Sequence, residues 1–228
     1  AAISLEVVMM QKDGGFGKFE ELDKLATQWG GDLPGNKTDF SHMIRDLKSQ
    51  GISDDTIIKG GGLATAQLNT VMGIPIADGS FFAKNMEAHG IKESEALASA
   101  DLTQRAYFAA GLTREDMHEA MKYYAGKANT LGYTGLEHQK KIYAVEGMAA
   151  TKGIEGSQFG TNFNTFLGNL SKGPENLEFA GRGRKGELRK MLHEAGAKLE
   201  FFNPDGSIKD LRSINGIMEA EFGKVRAQ

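Results

Sequence analysis

Gly111-Leu112-Thr113-Arg114-Glu115-Asp116-Met117 opens a segment that closes on Leu131-Gly132-Tyr133-Thr134-Gly135-Leu136-Glu137, and the architecture follows from how this stretch is punctuated. A helix ends readily on a glycine just past its last turn, because that residue takes a left-handed conformation that a Cβ disfavours. The next helix begins readily on Ser or Thr with an acid three residues later. Thr113 to Asp116 and Thr134 to Glu137 both have that spacing. Between the two glycines, Met117, Ala120, Met121, Tyr124, Ala128 and Leu131 fall at offsets 0, 3, 4, 7, 11 and 14, which is one face of an amphipathic helix.

The same punctuation recurs outward. Gly90, Gly111, Gly132 and Gly153 stand 21 residues apart, and each is followed by an apolar residue: Ile91, Leu112, Tyr133 and Ile154. Gly51-Ile52-Ser53-Asp54-Asp55 is an earlier copy. A period of 21 fits a helix of about 15 residues and a short turn, with the apolar residue stapling one helix to the next. Further one-face stripes are Phe19, Leu22, Leu25, Ala26 and Trp29; Phe40, Met43, Ile44 and Leu47; Phe159, Phe163, Phe166, Leu167 and Leu170; and Leu188, Met191, Leu192 and Ala195. Leu211, Ile214, Met218, Phe222 and Val225 form the last. One stretch departs from the rule. Lys198 to Phe202 is β-prone and is followed by the turn Asn203-Pro204-Asp205-Gly206. The expected fold is therefore all-α, an orthogonal bundle of short helices with one small β-hairpin near 198–208. Gly51, Gly90, Gly111, Gly132 and Gly153 are its expected helix stops, and Gly206 is the hairpin turn.

Composition sets the outer limits. The 228 residues carry 30 Gly and only 4 Pro, without a Gly-X-Y period, so the glycine excess marks many helix ends and not collagen. Apolar residues make up 40% and charged residues 25%, a globular balance, and the net charge is −3. The absence of cysteine excludes disulfides, thiolate catalysis and Cys-based zinc sites. No apolar run approaches the length of a membrane span. Glycine clusters at 13–17, 59–62, 73–79 and 173–186 read as linkers, the last as a mobile loop. They suggest a helical region over 1–80 and a second over 81–228, as one compact unit or two packed subdomains. The chain opens on Ala1 without a methionine and is expected to be a region of a longer protein.

Chemistry is sparse. His42, His89, His118, His138 and His193 have no metal-ligand spacing and read as helix-surface or boundary residues. Glu115, Asp116 and Glu119 read as first-turn charges that complement the helix dipole. The glycine runs at 60–62 and 153–156 lack the strand and the Gly-Lys-Ser/Thr of a phosphate loop. No catalytic residue, cofactor or metal is assigned, and the expectation is a protein that is not an enzyme. The strongest charge feature is basic: Arg182, Arg184, Lys185, Arg189 and Lys190, candidates for contact with phosphates or an acidic partner. A solvated loop and helix face is the favoured reading of the same residues, since no aromatic side chain interleaves them.

The order of these motifs resembles phage tail tape measure proteins. Gly111-Leu112-Thr113-Arg114-Glu115-Asp116, Met121-Lys122-Tyr123 and Gly132 match first, followed by Gly153-Ile154-Glu155-Gly156-Ser157-Gln158-Phe159-Gly160-Thr161. The hairpin with Asp205-Gly206, the closing helix from Asp210 and the pair Phe222-Gly223 follow in the family's order. Leu33-Pro34-Gly35, Thr38-Asp39-Phe40 and Leu47 to Gly51 resemble one branch of that family. The resemblance covers roughly residues 16–223; Phe159 departs from it, being bulkier than the small residue common there. It implies a prophage-type structural module of the virion tail, acting in tail length determination and tail tube assembly, made in the host cytoplasm. It implies partners among copies of itself and tail tube or tail assembly proteins. DNA contact through residues 182–190, or a peptidoglycan-degrading module, are the alternatives. As one continuous helix the chain would reach only about 340 Å, which also suggests a piece of a longer tape measure.

Overall fold

The computed structural model describes residues 18–172 and 187–226. Among them the chain is a bundle of short α-helices, all-α as expected. In order these are α1 (Phe19–Asp32), α2 (Lys37–Ser49), the single turn α3 (Asp54–Thr56), a π-helical segment (Ile57–Gly61) and α4 (Gly62–Met72). Then come α5 (Ser80–His89), a 3-10 turn (Glu93–Glu95), α6 (Ala96–Ala110), α7 (Arg114–Thr130), α8 (Leu136–Ala150) and α9 (Gly156–Ser171). After the gap follow α10 (Glu187–Glu194) and α11 (Leu211–Arg226).

The glycine stops stand where their spacing put them. Gly90, Gly111, Gly132 and Gly153 have φ of 58°, 67°, 67° and 72°, and Gly51 and Gly206 are also positive, at 93° and 85°. The amide of the apolar residue after three of these stops reaches back five residues: Ile91 to Met86 O at 2.9 Å, Tyr133 to Ala128 O at 2.8 Å and Ile154 to Ala149 O at 3.1 Å. These bonds satisfy the last carbonyls of the helix and turn Ile91 and Tyr133 into the core, where Leu112 also lies, while Ile154 is partly buried against it. The N-terminal signals are met unevenly. Thr113 accepts the Asp116 amide at 3.1 Å, as the spacing predicts. Thr134 does not cap α8, which starts one residue later with Gly135 at the N-cap. Tertiary contact displaces that cap, because the Gly135 amide donates to His89 O at 2.7 Å at the end of α5.

Two apolar clusters fill the interior. One gathers Leu22, Ala26, Trp29, Phe40, Met43, Ile44, Leu47 and Ile57, and the larger spans α4 to α11. Helix α4 serves both, with Ala66 in the first and Ala64, Leu68 and Met72 in the second. The glycines at 60–62 are not a linker. The chain stays helical through them, kinked at Gly60 (φ 131°), and Gly61 and Gly62 are buried. A Cβ on Gly62 would stand 2.5 Å from the Trp29 ring, so glycine here permits close packing of α4 on α1.

Helices α7 and α9 form the most extensively packed pair. The contact depends on Gly160, where a Cβ would lie 2.5 Å from the Ala120 carbonyl oxygen. With the backbones that close, Phe159 and Phe163 set their rings edge-on to Tyr124 at 6.4 and 5.5 Å. Two expected core residues turn outward, Phe166 at 42% and Met191 at 46% exposure, because their stripes are wider than the surface they meet. The hairpin shrinks to a single antiparallel bridge, Phe202 with Ile208, closed by the Asn203 amide on Ser207 O at 2.8 Å. The Ile208 amide points away from the partner strand and bonds to Leu131 O (3.1 Å) at the end of α7.

Candidate functional site

The main core contains a polar seam. On α8, Gln139, Tyr143 and Glu146 lie one above the other and are all buried. Facing them are Asn85 and His89 from α5, Ser99 and Thr103 from α6, and Tyr124 from α7, also buried. Gln139 Nε2 donates to Asn85 Oδ1 at 2.7 Å, and Asn85 Nδ2 donates to the Tyr143 hydroxyl at 2.5 Å. Thr103 lies 3.3 Å from the same hydroxyl. His89 Nδ1 is 2.9 Å from Asn85 O, and its Nε2 is 2.8 Å from the Tyr124 hydroxyl. A carbonyl can only accept, so Nδ1 carries the proton and Nε2 accepts from Tyr124. Burial lowers the His89 pKa to about 4, which keeps the ring neutral.

His89 corrects the reading of all five histidines as surface or boundary groups; the other four are half-buried or exposed. Glu146 closes the seam without a partner among the described residues. Both carboxylate oxygens are buried and unbonded, and burial, then the nearby Asp116 charge, raise its pKa to about 8. The carboxyl is therefore neutral below that pH. Such a seam can fix the register of packed helices, since the bonds among Asn85, His89, Thr103, Tyr124, Gln139 and Tyr143 form in one arrangement. Catalysis would require access, which His89 and Glu146 lack at 1% and 0% exposure.

Two ionic clusters hold the N-terminal helices. Lys48, 1% exposed, pairs with Asp54 across the Gly51 turn. Glu93 accepts hydrogen bonds from Ser53 (2.9 Å) and Thr56, which lower its pKa, and Asp55 is paired with Lys18 and Lys59.

A cleft of about 920 Å³ lies between the start of α8 and α11. Two of its acids, Asp210 and Glu221, are committed. Asp210 is held at about 2, chiefly by the Ser213 hydroxyl, and Glu221 is lowered, chiefly by Lys224. Neither can be the protonated general acid that glycoside hydrolysis needs. No group of three or more metal-ligating side chains occurs among the described residues. No helix among them is long and apolar enough to cross a membrane.

The basic candidates are only partly visible. Arg182, Arg184 and Lys185 lie outside the described residues, and Arg189 is described only as part of α10. Lys190 is on the surface with its Nζ 3.6 Å from Glu194, so it shares its charge with a carboxylate.

The described residues thus form a helical bundle whose few buried polar groups join α5, α6, α7 and α8. Residues 23–228 match the family model described as phage-related minor tail protein, and the chain belongs to that family. Over 199 residues it is 30% identical to the tape measure protein of Pneumococcus phage Dp-1, an alignment that covers 85% of this chain and 16% of that protein. The chain thus spans about a sixth of the length of that curated relative. No solved structure matches it.

Proposed function

We propose that this chain is a helical assembly module of a tail tape measure protein, acting in tail length determination and tail tube assembly. The observation that carries the reading is the alignment with the Dp-1 tape measure protein over 85% of this chain. The structure supports a packing role through the register-fixing seam and the outward apolar side chains Leu97, Phe108, Tyr123, Met148 and Phe166, which suit contact with further copies or tail partners. The module then resides in the virion tail after assembly in the host cytoplasm. The division into 1–80 and 81–228 belongs to the same reading, supported by the two apolar clusters and qualified by α4, which feeds both.

The test is an in-frame deletion of this segment in a phage whose tape measure protein carries it. Shortened or absent tails in electron micrographs are the expected result. Tails of unchanged length and normal yield would overturn the proposal.

A further inference from the structure

Glu146 is the one ionisable side chain in the seam that no described residue satisfies. It is 0% exposed, and both of its oxygens lack a hydrogen-bond partner. Its neighbour Gly147 lies so close to α6 that a Cβ there would stand 2.6 Å from the Ala110 methyl. That contact leaves Glu146 little room to swing out while α8 stays docked. The titratable groups acting on it are unhelpful to an anion. Asp116 on α7 is a like charge, and the phenols of Tyr124 on α7 and Tyr143 on α8 carry no positive charge. His89 on α5, packed on Tyr143 at 5.3 Å, is neutral. Helix α6 turns Ser99, Thr103 and Ala106 inward and keeps its Asp101–Arg105 pair at the surface. A buried carboxylate without a cation or a donor is costly, whereas a neutral carboxyl is tolerated.

We propose that Glu146 is a protonation-controlled latch, which lets α8 stay docked against α5 and α6 as the neutral acid and releases it as the anion. The inference stands on the packing of this chain and is independent of its role in a tail. Release exposes Glu146 to water, where its ordinary pKa near 4.5 applies, while the docked form keeps its proton up to about pH 8. One proton is therefore lost on opening between those values, and the opening equilibrium rises about tenfold per pH unit.

The experiment is amide hydrogen exchange of the 228-residue chain from pH 5.5 to 9, read as protection factors so that the intrinsic pH dependence is removed. Protection of α8 is expected to fall about tenfold per unit up to pH 8 and then level off, and Glu146→Gln is expected to flatten that fall. Equal slopes in the two proteins, or constant protection in the parent, would overturn the latch. A second readout needs no variant: the Glu146 side-chain carboxyl carbon, followed by NMR, should titrate near 8 and not near 4.5. A midpoint near 4.5 would also overturn the proposal.

Discussion

The Tyr124 hydroxyl donates to Nε2 of His89 at 2.8 Å, joining α7 to α5 inside the apolar core. His89 in turn gives its Nδ1 proton to Asn85 O, one turn back on its own helix. Burial keeps the ring neutral, and of its two neutral tautomers only the Nδ1-protonated one satisfies both nitrogens. Tyr124→Phe leaves Nε2 buried without a donor, and a lone buried acceptor costs about 1–3 kcal/mol. Urea unfolding of the two proteins should show a loss in that range at pH 7. Nitrogen NMR shifts should show the Nδ1–H tautomer in the parent; an imidazolium at neutral pH would contradict the geometry.

Gly160 and Gly168 lie on the same helix and should respond oppositely to alanine. A Cβ at Gly160 meets the Ala120 carbonyl at 2.5 Å and Ala120 Cα at 2.9 Å, both backbone, so α7 and α9 must separate. Overpacking of this kind costs about 1–3 kcal/mol. Gly168 has open space where the Cβ would go, and its exchange for alanine should gain up to about 1 kcal/mol from helix propensity. Denaturant midpoints moving in opposite directions would show that α9 packs through its glycine face.

The buried pair Lys48–Asp54 gives a third contrast. Replacing Asp54 by Ala removes one carboxylate from beside an ammonium that is 1% exposed, and breaking a buried pair typically costs about 3–5 kcal/mol. Replacing both, as Lys48→Met with Asp54→Leu, removes the charge problem and should restore most of that stability. Thermal melts of the single and double variants check this; a double variant as weak as the single would show that the pair itself, and not the imbalance of buried charge, is what matters.

Much of this fold is legible from local chemistry. Gly90, Gly111, Gly132 and Gly153 announce helix ends because a left-handed residue is a local demand, met the same way in any surroundings. The seam is not announced so clearly. Gln139, Tyr143 and Glu146 at offsets 0, 4 and 7 look like a solvated helix face until α5 and α6 are placed over them. The available signal was the matching one-turn pairs, Asn85 with His89 and Ser99 with Thr103, on neighbouring helices. Gly60 to Gly62 misled for a related reason: without Trp29 in place, a packing surface reads as a linker.

His89 and Glu146 together predict an unusual dependence of stability on pH. The His89 pKa is lowered from 6.5 to about 4 in the folded chain, so unfolding takes up a proton between those values and stability rises with pH there. The Glu146 pKa is raised from 4.5 to about 8, so unfolding releases a proton between those values and stability falls with pH there. The two slopes cancel between pH 4.5 and 6.5. Above 6.5 only Glu146 acts, and the loss up to pH 8 amounts to about 2 kcal/mol. Unfolding free energies measured by urea at half-unit intervals should show this plateau and decline. Glu146→Gln should convert the profile to a rise that ends near 6.5, and His89→Gln to a continuous fall from 4.5 to 8. If each variant kept the parent's profile, neither side chain would be the titrating group and the seam would not govern how the bundle responds to pH.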